Sequence, residues 1–161
     1  MKKAFFLTIT ILTIWACQND PTKLWKAMDL LPYGIPITIL APDSADVNMS
    51  KLGVIKDITI KKGDDYNIQI FASPVTTGSI EELKANQMDE VKSNRFFSKI
   101  ITEEPNGFIY ETVIDSANIN YGFRQVHYQA DLEYVFQQSL MGSFTQEQIE
   151  RMYEAVKQKE Q

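Results

Sequence analysis

VIKDITIK (Val54 to Lys61), KGDD (Lys62 to Asp65) and YNIQIFA (Tyr66 to Ala72) follow one another, and this run decides the fold. Both arms are rich in β-branched and aromatic residues, which suit a pleated, half-buried surface. The short polar break with Gly63 is a turn, so the stretch reads as a β-hairpin. In the second arm Tyr66, Ile68 and Ile70 share one face while Asn67 and Gln69 take the other. One side therefore meets a core, and the other is solvated or held by polar contacts.

Downstream, Ser79 with Glu82 three residues later forms a capping-box pattern. Ile80, Leu83, Gln87 or Met88, and Val91 then follow at helical spacing, which predicts a helix from about Ser79 to Ser93 with Glu81, Glu82 and Lys84 on its wet side. A second hairpin is expected from FFSKIIT (Phe96 to Thr102) and FIYETVI (Phe108 to Ile114), separated by a turn with Pro105, Asn106 and Gly107. After a loop over Asp115 to Asn120, Gly122 to Gln129 and Glu133 to Leu140 give a third pair. Thr145 with Gln148 then starts a last helix whose stripe is Ile149, Met152, Tyr153 and Val156.

Upstream, Ile35 to Leu40 (IPITIL) reads as a short strand at an edge or strand start, because Pro36 cannot donate to a ladder. Leu24, Trp25, Met28 and Leu31 fall at the spacing of a short amphipathic helix, docked on the domain or on lipid. The stretch from Asp43 to Gly53 reads as a polar loop. Asp46, Asn48, Ser50 and Asp57 match oxygen-ligand positions of a calcium loop, although Lys51 replaces the turn glycine. No metal site is assigned.

The order of strand, hairpin, helix, two hairpins and helix points to the α+β class: an α/β/α sandwich. Its antiparallel sheet of about six or seven strands is covered by a middle and a C-terminal helix. The Gly34-Ile35-Pro36 strand, the Ser79 to Leu83 helix start, the Leu132 to Phe136 arm and the Phe144-Thr145 step together resemble the PsbP-like fold over about Tyr33 to Lys157. The resemblance implies a binding or assembly partner rather than an enzyme.

The N-terminus carries its own message. Lys2 and Lys3 precede an uncharged, mostly apolar run from Ala4 to Ala16, the layout of a secretory signal. As a helix this run would reach about 20 Å, short of the roughly 30 Å hydrocarbon core. It ends in Ile14-Trp15-Ala16-Cys17, which resembles a bacterial lipobox, and Cys17 is the only cysteine. That resemblance implies diacylglycerol on the Cys17 sulfur, cleavage before it and acylation of the new amine, a stable anchor because it uses more than one chain. Gln18 stands where an inner-membrane retention aspartate would be, so the expectation is an exported protein of the bacterial envelope, on the outer membrane rather than the inner. The parts are then 1–16 signal peptide, 17–32 lipidated tether with a short linker or helix, and 33–161 a single domain.

Of 161 residues, 21 are acidic and 16 basic, a net charge of −5. Removal of Lys2 and Lys3 leaves 14 basic residues and a charge of −7 on the remaining 145 residues, enough for one domain. Such a balance argues against nucleic acid and against flat binding to anionic lipid. No catalytic constellation and no cofactor motif is found. His127 is the only histidine, Cys17 is committed to lipid, and no serine sits in a G-x-S-x-G frame. Adjacent acids such as Glu81-Glu82 point to different faces of their elements and make no acid/base couple.

Aromatic residues concentrate in the last hairpin. An interaction surface is expected there from Tyr121, Arg124, His127 and Tyr128, meeting a protein partner. His127 shares a strand face with Phe123, Gln125 and Gln129, and Arg124, Val126 and Tyr128 take the other. The expected function is thus a membrane-tethered, non-catalytic binding or assembly module. The alternatives are a small-ligand-binding domain and an enzyme using His127.

Overall fold

The computed structural model describes residues 24–116 and 118–158. The anchor expectation, Met1 to Cys17, lies outside the described residues. Two small strands, β1 (Lys26–Asp29) and β2 (Thr38–Ala41), pair with each other, joined through a 3-10 turn at Leu31–Tyr33. The main sheet holds seven antiparallel strands: β3 (Asp46–Leu52), β4 (Ile55–Lys62), β5 (Tyr66–Pro74), β6 (Phe97–Glu104), β7 (Gly107–Asp115), β8 (Asn118–Gln129) and β9 (Leu132–Gln138). Their spatial order is β3-β4-β5-β9-β8-β7-β6, so the last strand in sequence is inserted at the centre. Helix α1 (Ile80–Lys92) and helix α2 (Gln146–Val156) complete the α+β sandwich.

The alternation of the founding hairpin sets the layers. Tyr66, Ile68, Ile70 and Ala72 are fully buried with Ile58 and Ile60 of β4, forming a core with Phe123, Tyr134 and Phe136. On it lie the α2 stripe of Ile149, Met152, Tyr153 and Val156 and, beside α2, Ile39 of β2 and Ile37 just before that strand. A second core on the opposite face joins Met88 and Val91 of α1 to Phe108 and Tyr110 of β7, with Phe97 and Ile100 packed against it.

Both helices begin where the caps dictate. Ser79 Oγ accepts from the Glu82 amide at 3.2 Å, and the Glu82 carboxylate reaches back to Gly78 N–H at 2.8 Å. Thr145 and Gln148 close a full capping box at α2.

Three expectations are corrected. The Leu24 to Leu31 segment is a strand and a 3-10 turn, not a helix. Pairing with β2 satisfies its backbone, while Trp25 stands edge-on to Tyr66 with ring centroids 4.9 Å apart and Leu30 is fully buried. A single isolated helical turn has no comparable source of stability. The polar stretch after Asp43 is not a loop but β3, an edge strand exposed along nearly its whole length, so burial left no hydrophobic signature in its sequence. As a strand it spaces Asp46, Asn48 and Ser50 about 6.6 Å apart, and Asp57 stands across from Ser50 on β4. An extended backbone cannot wrap these oxygens around one calcium ion. Finally, IPITIL supplies β2 to the small sheet, and β3 takes the edge place in the main one.

Candidate functional site

Strand β8 carries all four residues expected to form an interaction surface, and its alternation sends them to two faces. Tyr121 is half-buried and packs against the core under α2. His127, on that same side, is half-buried with its ring 6.2 Å from Tyr134. Burial holds its imidazole below the ordinary value, partly opposed by a hydrogen bond with Gln129. Among the described residues no carboxylate lies within ion-pair distance of it.

The other two residues face α1. Tyr128 donates to Ser79 O at 3.0 Å and its oxygen lies against the Thr77 hydroxyl, so it ties the sheet to the start of α1. Arg124 is only 6% exposed; its Nη1 donates to Phe123 O at 3.1 Å and to Tyr110 OH at 3.4 Å. Its guanidinium carbon sits 5.8 Å from the Tyr110 ring centroid, a cation–π arrangement. Among the described residues it has no carboxylate partner. The four therefore make no single patch: Tyr128 and Arg124 act as internal fasteners.

What the sheet does leave open is the other half of the α1-side face. Helix α1 covers the β8-β7-β6 half, and among the described residues no helix lies over β3, β4 and β5 on that side. Across this open half runs a built polar row. Gln69 Nε2 donates to both Asp57 carboxylate oxygens at 3.0 and 3.1 Å, and Gln137 Nε2 donates to Gln69 Oε1 at 3.2 Å. Gln137 stands directly across from Arg124, so the row ends at the arginine. Next to it Phe71 and Val135 face each other on β5 and β9, both half-buried.

The row is bounded by Glu133, 7% exposed. One of its oxygens accepts from Ser73 Oγ at 3.4 Å and Thr76 Oγ1 at 3.1 Å; the other accepts from Thr76 N–H at 3.2 Å and Thr77 Oγ1 at 3.1 Å. Four donors hold this carboxylate without a cation. Sequence reading gave Asp57 only a calcium-loop position and Gln69 only the polar side of its strand, and gave Gln137 and Glu133 no role; the available signal was the set of polar residues alternating with apolar ones on three strands, β4, β5 and β9, that lie side by side. Among the described residues no cluster of three His, Cys, Asp or Glu side chains is placed to hold a metal, and no described helix is long and apolar enough to cross a membrane.

The fold and this face define an α+β sandwich with a seven-stranded antiparallel sheet, one half of one face open. No family model, no curated protein and no solved structure matches the chain.

Proposed function

We propose that the protein is a membrane-tethered lipoprotein of the bacterial envelope, acting as a non-catalytic binding or assembly module that meets a protein partner with the open half of its sheet. The supporting observation is the pair Asp57 and Gln69, braced by the buried Gln137, beside Phe71 and Val135. Its groups are already oriented by mutual hydrogen bonds, which lowers the ordering cost of contact, and a mixed apolar and polar patch is typical of non-obligate interfaces. The tether reading rests on the lipobox-like Ile14-Trp15-Ala16-Cys17, and the PsbP-like resemblance favours the same class.

Two tests separate the halves of this reading. Cys17→Ala should release the protein from membranes and abolish the mass added by lipid; a variant still membrane-bound and unshifted in mass removes the anchor. A photo-crosslinking residue at Thr59 or Val135 should give protein adducts in intact cells that the same residue at Lys92, on α1, does not. Equal or absent adducts at all three positions would remove the open face as the contact surface.

A further inference from the structure

The first described residues sit at one particular end of the main sheet. Trp25 stands edge-on to Tyr66, the first residue of β5, and Lys26 pairs with Asp43 at 2.8 Å. The loop after β9 comes to the same end: Ser139 N–H donates to Asn67 O at 2.9 Å, and Asn67 Nδ2 donates to Met141 O at 3.2 Å. Met141 shares a cavity of about 440 Å³ with Gly63 and Asp64, which places the β4–β5 turn there too.

Three large apolar side chains stand in the open at this end. Leu24 is 80% exposed, Leu140 82% and Met141 81%, the highest values of any large apolar side chain among the described residues. The loop bearing Leu140 and Met141 is fastened at Asn67 and at the buried Phe144, so the fold itself presents the pair. The charges around them are mixed: Lys26 is paired with Asp43, Lys61 lies across from Asp46, and Asp64 and Asp65 occupy the turn. An anionic ligand finds no basic cluster there, and burial of apolar surface is left as the driving force.

What covers these side chains follows from where the chain leads. Cys17, the lipid acceptor in the reading above, precedes Leu24 by seven residues. At no more than about 3.6 Å per residue the connection cannot exceed about 25 Å. Leu24 and its end of the sheet therefore stay within that reach of the bilayer surface. The Gly53-Val54 turn, at the other end of the eight-residue strand β4, lies about 26 Å away along that strand. Three side chains offer far less than the roughly 1,200 Å² that a stable protein–protein contact buries. A surface held beside the domain by a tether needs much less, because its effective concentration is high.

We propose that this end of the domain docks on the bilayer that holds the anchor, with Leu24, Leu140 and Met141 entering the boundary between headgroups and acyl chains of zwitterionic phospholipid. The proposal rests on the tether read from Ile14-Trp15-Ala16-Cys17 and goes beyond it. A tether alone leaves the domain free to tumble, whereas docking fixes the end that faces lipid and turns Val54 away from it.

The test couples the full chain through Cys17, its only cysteine, to a maleimide phospholipid in phosphatidylcholine vesicles, with an environment-sensitive fluorescent residue built in at position 141 or at position 54. The residue at 141 should shift to the blue and be quenched by brominated acyl chains about threefold more than the one at 54, as a side chain entering the apolar boundary requires. Leu24→Ser together with Leu140→Ser should cut the quenching at 141 by about half or more, since two of the three apolar contacts are gone. Both side chains are exposed, so the fold is kept. Equal quenching at the two positions, no quenching at 141, or quenching unchanged by the two substitutions would each overturn the proposal. So would a blue shift that follows protein concentration instead of lipid, which would assign the patch to a second copy. Because the linkage is made chemically, a failed anchor in the Cys17→Ala experiment leaves this measurement standing. Failure here leaves the anchor and the crosslinking test at Thr59 and Val135 untouched.

Discussion

Glu133 is the residue on which the junction between β5 and α1 depends, because its carboxylate is the shared acceptor for Ser73, Thr76 and Thr77. Glu133→Ala leaves those donors without a partner inside a tight corner, and the expected loss of stability is about 1–3 kcal/mol, read by urea unfolding. Glu133→Gln keeps one acceptor oxygen and should lose less. His127 gives a pH signature. Its imidazole is held below the ordinary value chiefly by burial, so the folded state binds that proton less readily than the unfolded chain. The stabilisation is fully present above about pH 6.5 and is lost as pH falls through that value toward the depressed folded one. His127→Gln should flatten the stability profile across that window, as measured by thermal unfolding at a series of pH values; an unchanged profile would assign the slope elsewhere. At this scale the alternation of Phe123 to Tyr128 was legible, because a strand leaves its period in the sequence. The partner of each polar residue was not legible, since it depends on which strand lies next door.

Among the elements, those with both a cap and a stripe were the legible ones. Helix α2 could be read from Thr145, Gln148 and the four apolar residues that follow at helical spacing, and all four are buried, with Ala155 beside them. Thr145→Ala should cost about 1 kcal/mol in chemical denaturation by removing the N-cap acceptor. Strands β1 and β3 were illegible for opposite reasons. β1 has four residues whose neighbouring apolar side chains mimic a helical period, and β3 is wet on both sides. In both, backbone pairing decides the conformation, and backbone pairing leaves little trace in side-chain pattern. The close approach of β7 to β8 makes a sharper demand on sequence. A Cβ on Gly107 would lie 2.6 Å from Arg124 O and 2.8 Å from Tyr153 OH, inside contact distance for a backbone that cannot yield cheaply. Gly107→Ala is expected to destabilise by about 1–3 kcal/mol, the usual range for overpacking.

The molecule as a whole starts earlier than the sequence boundary at residue 33 implies. Trp25 and Met28 pack against the main core, and Leu30 is part of it. A chain beginning at Tyr33 forfeits these contacts and the β1–β2 ladder. Relative to one beginning at Leu24 it should lose about 3 kcal/mol or more, since burying one large apolar side chain alone is worth about 1.5–3 kcal/mol. Equal midpoints in denaturant for the two chains would show that β1 is an ornament rather than a layer of the domain.

The placement of β9 governs how the chain must be assembled. Everything up to β8 has been synthesised before the strand that joins β5 to β8 exists, so the founding hairpin and the β6-β7-β8 meander wait as two unjoined halves. Their docking needs a segment more than fifty residues from β5 in sequence, and such distant pairings slow folding because the loop must close before contacts reward it. A chain ending at Asp131 should accordingly show no cooperative unfolding transition, whereas the full chain should fold slowly in a single step. Late closure would leave the two halves of the sheet unjoined until β9 has been made, so the order of synthesis and the order of assembly are set by the same strand.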